Sequence, residues 1–220
     1  MNAILEEINF NVIKGNASLV QEKVKEALEA GIGSASILND GMISAMAKVG
    51  RFFEEGKFYV PEMLVAARAM QSGMILLKPY LQQSDVKSSG IVIIGTVQGD
   101  VHDIGKNLVG MMLEGAGFEI QDLGTDVHPQ KFINAARSCL SEGRPVIVGM
   151  SALLTTTMMN IGNTITALKE AGIRDTVKVI VGGAPLTESF ALQIGADGFA
   201  ADASRAVSLV KSLISYQREQ

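Results

Sequence analysis

The sequence predicts a four-helix bundle followed by an open, mainly parallel, five-stranded α/β domain. Three observations carry this. Residues 1–84 hold apolar residues at helical spacing and no convincing strand, a polar stretch over 82–89 reads as a linker, and beyond it short β-branched runs alternate with helical stretches at the interval of βαβ units. The expected division is a helical domain over 1–84 and an α/β domain over 85–220.

Local signals place each helix of the bundle. The first covers about 3–13 and ends near Gly15. The second runs from Ser18 to about Ala30, with Leu19, Val20, Val24, Ala27 and Leu28 on one side and Gly31 and Gly33 closing it. The third begins near Ser34, carries Ile37, Leu38, Met42, Ala45, Met46, Val49, Phe52 and Phe53, and stops around Gly56. Pro61 suits the first turn of a fourth, on which Met63, Ala67, Met70, Met74 and Leu77 recur at spacings of four, three, four and three; Pro79 helps to end it. Met42, Met46, Met63, Met70 and Met74 give this segment a soft lining, which reads either as ordinary core or as a surface that covers a large apolar cofactor.

The α/β part opens with Ile91-Val92-Ile93-Ile94-Gly95, a run suited to a strand buried on both faces. A helix follows from about Ile104 to Glu114, with Gly115 and Gly117 at its exit. Further strands are expected near 118–123, 145–149, 177–181 and 198–200, and helices near 129–141, 158–171, 187–194 and 203–215. Ligands of such sheets bind beyond the carboxyl ends of the strands, so the loops after Ile94, Leu123, Gly149 and Val181 are the ones to inspect.

Composition narrows the classes. Hydrophobic residues make up 47% of the 220, enough for a substantial core, and a net charge of -4 without any dense Lys/Arg stripe excludes the electrostatic footprint of a nucleic-acid binder. The acidic start, Met1-Asn2-Ala3-Ile4-Leu5-Glu6-Glu7, does not resemble a signal peptide, and the apolar runs are far shorter than the about 20 residues that cross a bilayer. A soluble, cytoplasmic protein is expected. The single cysteine, Cys139, excludes an internal disulfide framework and a multi-cysteine metal cluster; it reads as a small buried side chain or as a reactive thiol.

The loop after the first strand runs from Gly95 to Asn107. It fails as a phosphate loop, because five residues rather than four separate Gly99 from Gly105 and Asn107 stands where a magnesium-binding hydroxyl is needed. It fails as a dinucleotide fingerprint because Gly95 and Gly99 lack the required spacing. What it offers is Asp100 and His102. One imidazole nitrogen can coordinate a metal while the other donates to a carboxylate that orients the ring. With only His128 and Cys139 besides, a zinc cage is out of reach, but a metal carried by an organic ring needs one protein ligand.

Asp100-x-His102-x-x-Gly105, followed by Ser151-x-Leu153 and by Gly182-Gly183, resembles the signature of the cobalamin-binding domain of methionine synthase and of corrinoid proteins in anaerobic methyl-transfer systems. Phe52-Phe53-Glu54-Glu55-Gly56 through Tyr59-Val60-Pro61-Glu62-Met63 resembles the cap module of the same proteins, so the resemblance covers nearly the whole chain. It implies a flavodoxin-like (Rossmann-like) cobalamin-binding domain behind a helical cap. It also implies a cobalamin or related corrinoid cofactor, with His102 as the lower ligand of cobalt in place of the corrinoid's own base. Asp100 would take the proton-bearing ring nitrogen and Thr157 would supply the relay hydroxyl, a position where methionine synthase has serine.

By the same resemblance Ser151, Thr155 and Leu153 would line the slot for the displaced nucleotide tail, and Gly182, Gly183 and Gly105 would permit close approach of the cofactor, with Asp103 and Ile104 beside it. Lys106 and Asn107 are weaker candidates for the polar rim. The implied activity is methyl carriage: cob(I)alamin accepts a methyl group from a substrate-specific methyltransferase, and methyl-cob(III)alamin delivers it to a second methyltransferase acting on tetrahydrofolate or a thiol. A reductive activator is a further implied partner, the helical segment leaves room for a homodimer contact, and residues 1–84 would protect the cofactor's upper face. The alternative is a cobalamin-dependent sensor or regulatory protein.

Overall fold

The computed structural model describes residues 2–83 and 88–218, so the centre of the expected linker, 84–87, lies outside the described residues. Two compact units are present, Met1–Ser88 with Gly115–Gly117, and Ser89–Glu114 with Phe118–Gln220. Among the described residues no helix is long and apolar enough to cross a membrane.

In the first unit, α1 (Ala3–Lys14) starts where the Asn2 side chain accepts the Ile4 amide, and it buries Leu5, Ile8 and Val12. The second helix, α2 (Ala17–Glu29), buries Val20, Val24 and Ala27. Three consecutive segments, Ser34–Ser36, Ile37–Ile43 and Ser44–Glu54, form α3, whose middle segment is π-helical. The buried Asn9 side chain braces this wider turn by donating to the Gly41 carbonyl (3.2 Å) and the Ser44 hydroxyl (2.7 Å). The last helix, α4 (Val60–Gln83), is capped by Glu62, which accepts the Tyr59 amide. α1 packs against the other three helices, and α2 also packs against α4, which closes the bundle.

Pro79 does not end α4 but lies inside it. Its missing N–H orphans the carbonyl of Ile75, and there the helix faces solvent, with Ile75 71% exposed, so water can serve that carbonyl. Met42, Met46, Met63 and Met70 are buried and Met74 half-buried, as core methionines are.

The second unit is a five-stranded parallel sheet of order β2-β1-β3-β4-β5, with β1 at Ile91–Thr96, β2 at Glu119–Asp122, β3 at Val146–Ser151, β4 at Lys178–Gly182 and β5 at Gly198–Phe199. Every residue of β1 is buried. The intervening helices are α5 (Ile104–Gly115), α6 (Pro129–Leu140), α7 (Met159–Glu170), α8 (Glu188–Ile194) and α9 (Ala203–Arg218). On one face Ile91, Ile93, Val146 and Val148 pack with Phe132 and Ile133 of α6 and Ile161 and Ile165 of α7. Cys139 is buried in this layer, where desolvation pushes its thiol up and its Sγ donates to the Gln121 side chain at 3.1 Å.

This strand order decides where a ligand goes. From β1 the chain moves to one side for β2 and to the other for β3, so the loops leaving β1 and β3 lie side by side at the switch point. The loop after β4 comes close as well. At Gly183, φ is 135° and a Cβ would stand 1.9 Å from the Ala152 carbonyl oxygen, so the backbone itself requires glycine there. Gly183→Ala is expected to cost about 3 kcal/mol in urea unfolding. A Cβ added at Gly105 would meet nothing within 4 Å, and Gly105→Ala is expected to leave the cofactor-free chain unchanged or roughly 0.5 kcal/mol more stable.

Candidate functional site

The site is built from the last residue of β1. Thr96, fully buried, donates its hydroxyl to the His102 carbonyl at 2.8 Å and lies 3.0 Å from the Ser151 hydroxyl at the end of β3. With its one proton committed to His102, Thr96 accepts from Ser151. The β1 loop is thus drawn back over the strand it has just left.

Asp100 is the centre of that loop. Its side chain has no exposed surface, yet both oxygens are saturated. Oδ1 receives the His102 amide (3.1 Å) and lies 2.7 Å from His102 Nδ1; Oδ2 receives the amides of Leu153 (2.8 Å) and Leu154 (3.3 Å) and the Thr157 hydroxyl (2.6 Å). Burial opposes ionisation of Asp100, but the bonds from Thr157, the Leu153 amide and the His102 side chain and amide outweigh it and hold the carboxyl well below the usual carboxylate range.

An ionised Asp100 can only accept, so the neutral imidazole carries its proton on Nδ1 and is left with a lone pair on Nε2. The His102 side chain is 47% exposed and Nε2 has no hydrogen-bond partner among the described residues. The ring is anchored at one nitrogen and open at the other, as a metal ligand must be.

The other expected residues gather around this pair. Asp103 accepts from the Asn107 side chain at 3.1 Å, and Ile104 is 81% exposed. Leu153 turns its side chain outward and contributes through its amide, a role its residue type could not announce. Thr155 is exposed on the β3 loop; Gly182 ends β4 and Gly183 follows it, and the Gly182 carbonyl accepts the Ala152 amide at 3.3 Å. Lys106 is not on a polar rim: it is buried and paired with Asp122 at 2.5 Å. Sequence reasoning missed Thr96, Leu154 and Asp122. Thr96 left one signal, a polar residue closing a wholly apolar strand.

Donor chemistry tests the fit to a corrinoid. Among the described residues no three His, Cys, Asp or Glu side chains converge as a metal cage, so a metal held by His102 brings its remaining ligands with it. Gly105, with open space where a Cβ would lie, is not needed by the chain's own packing, and exposed Val101 and Ile104 flank it. An apolar rim around one open imidazole suits a large metal-bearing ring.

The fold and this site define an open parallel α/β domain with one half-exposed, carboxylate-anchored imidazole at its switch point. The B12 binding domain family matches residues 90–208, and a second family of the same description matches residues 4–78. The chain is 44% identical over 198 residues to trimethylamine corrinoid protein 1 of Methanosarcina acetivorans, covering 89% of this chain and 90% of that one. It is 42% identical over 215 residues to dimethylamine corrinoid protein 3 of the same organism, covering 96% and 99%. Among solved structures, the methanol:cobalamin methyltransferase complex MtaBC of Methanosarcina barkeri is similar with a TM-score of 0.85 at 28% identity, covering 97% of this chain and 80% of that one. The chain belongs to the B12-binding family, among the corrinoid proteins of methyltransferase systems.

Thr157→Val is expected to destabilise the cofactor-free chain by about 2 kcal/mol in urea unfolding, the scale of a hydrogen bond to a buried charge, whereas Thr157→Ser keeps most of that. Asp100 also sets a pH dependence. Its folded carboxyl ionises below the unfolded one, so its stabilisation is complete above about pH 5 and is lost progressively as pH falls past the unfolded value to the lower folded one. Between about pH 6 and pH 3, wild-type stability should fall more steeply than that of Asp100→Asn.

Proposed function

We propose that the chain is a corrinoid methyl carrier in which His102 is the lower ligand of the bound cobalt. The observation that supports this is the Asp100–His102 pair, with Nδ1 tied to a buried carboxylate and Nε2 open. When bound, the corrinoid supplies a cobalt centre that can take up a methyl group and give it away. The chain's own residues hold, orient and tune. Asp100 fixes the ring and raises the donor strength of Nε2, Thr157 and the Leu153 and Leu154 amides keep Asp100 ionised, and Thr96 with Ser151 fixes the loop carbonyl at His102.

The reading divides the chain into a helical cap domain, 1–84, and a corrinoid-binding domain, 85–220. It assigns Ser151, Leu153, Thr155, Gly182 and Gly183 to the cofactor's nucleotide tail, and Asp103, Ile104 and Gly105 to the rim of the ring. The partners are a substrate-specific methyltransferase that loads the carrier, a second methyltransferase that unloads it to tetrahydrofolate or a thiol, and a reductive activator. The resemblance to methylamine corrinoid proteins makes methylated amines the donor class to assay first.

Electron paramagnetic resonance of uniformly 15N-labelled protein loaded with cobalt(II) cobalamin tests the ligand assignment. A protein nitrogen on cobalt splits the signal into doublets and the cofactor's own base into triplets. Doublets are expected for the wild type and none for His102→Ala; triplets in the wild type, or no corrinoid binding, contradict the proposal. Asp100→Asn should lower corrinoid affinity or methyl transfer by about 10- to 100-fold. Corrinoid binding without turnover against any methyltransferase pair would favour a sensor instead.

A further inference from the structure

The loop that carries His102 is gripped from a second loop. Between β1 and β2 the pairing is regular as far as Ile94 opposite Asp122, and it resumes with Val97 opposite Val127. The β2 side therefore carries two more residues than the β1 side over this interval, and the extra length is a bulge. Thr96 shows it directly: its amide donates to the Gly124 carbonyl while its carbonyl accepts from Val127, three residues apart where a regular parallel ladder needs two. Asp126 sits in this bulge with φ 52°, and it is the non-glycine residue with positive φ among the described residues.

The bulge brings Asp126 against the His102 loop through two bonds. Its carboxylate Oδ1 accepts the Gly99 amide at 2.7 Å, and its own amide donates to the Asp100 carbonyl at 2.9 Å. Gly99, with φ 83°, supplies the turn that presents its N–H. On the opposite side Asn160 of α7 donates to the Gln98 carbonyl at 2.8 Å. The three residues immediately before Val101-His102 are thus held from two elements, and the carboxylate at Gly99 is the charge-assisted member of the set.

We infer that Asp126, acting through its bonds to Gly99 and Asp100, is a positioning residue that fixes the Gly99–Asp100 turn and so sets how strongly His102 ligates the corrinoid cobalt. The inference rests on the proposed ligand role of His102. It follows from the chain of contacts: Asp126 fixes the backbone of Asp100, and Asp100 fixes the ring. Loss of the carboxylate lets the turn shift while Asp100 remains paired, so the ring moves with it and the ligated fraction drops. A purely structural role would change stability and leave that fraction alone.

Two substitutions separate the contributions. Asp126→Gly tolerates the positive φ but deletes the acceptor, and Asp126→Asn retains an acceptor oxygen and a residue at ease in that conformation. In 15N-labelled protein loaded with cobalt(II) cobalamin, Asp126→Gly is expected to lower the ratio of histidine-ligated to unligated cobalt about tenfold, with Asp126→Asn within about threefold of wild type. Hydrogen exchange on the cofactor-free chain supplies a readout without cobalt: the Gly99 amide should be protected in the wild type and exchange about tenfold faster in Asp126→Gly. A wild-type ligated fraction in Asp126→Gly, an Asp126→Asn variant as impaired as the glycine, or an unprotected Gly99 amide in the wild type overturns the inference. If Asp126→Gly does not fold, an Asp126→Asn ratio more than about threefold below wild type, or an unprotected wild-type Gly99 amide, still overturns the inference. Absence of histidine ligation in the wild type itself would instead sink the ligand assignment.

Discussion

A carboxylate with no exposed surface, ionised because two loops surround it with donors, is the constraint on which the rest of this site depends. Burying a charge without partners would cost several kcal/mol, so Asp100 is tenable only while the Leu153 and Leu154 amides, the Thr157 hydroxyl and the His102 imidazole stay in place. The dependence runs both ways. The same charge that demands those donors holds the β1 loop to the β3 loop and gives the imidazole one orientation and one proton position. Preorganisation of the imidazole is thereby a consequence of folding.

The sheet order makes the arrangement possible. Only at the switch between β1 and β3 do two loops leave adjacent parallel strands with their helices diverging, and there the end of β1 and the end of β3 share the Thr96–Ser151 contact. Edge strand β2 adds a brace from the other side through its terminal bulge. The His102-bearing segment is therefore a loop by its lack of regular structure, yet its backbone is bonded to β1, to the β2 end and to α7, and the Asp100 side chain ties it to the β3 loop. Such a segment can carry a functional ring without the mobility that loops usually show.

Much of this was legible in the sequence. The alternation of β-branched runs with helical periods marks β1, β3 and β4, and β-branched Ile91–Ile94 matches a strand buried on both faces because burial on both sides leaves no polar alternation to read. Asp100 and His102 were legible because their residue types carry chemistry. Leu153 and Leu154 were not legible in this role, since they act through backbone amides that every residue possesses. Asp126 was hidden for another reason: a bulge is a property of register between two strands, invisible in either strand alone. Pro79 misled because proline usually ends helices, whereas on this exposed turn water can serve the carbonyl that its missing N–H orphans. The π-helical segment at Ile37–Ile43 followed an apolar pattern indistinguishable from a regular helix.

Family membership supplies the cofactor class, and the geometry supplies an imidazole fixed at one nitrogen and open at the other. The claim that joins them is that Asp100 selects the state of His102 before any cofactor arrives. Long-range 1H–15N correlation of the His102 ring in the cofactor-free protein measures that state directly. The neutral ring is expected to carry its proton on Nδ1, leaving Nε2 open; a ring protonated on Nε2 would contradict selection by Asp100.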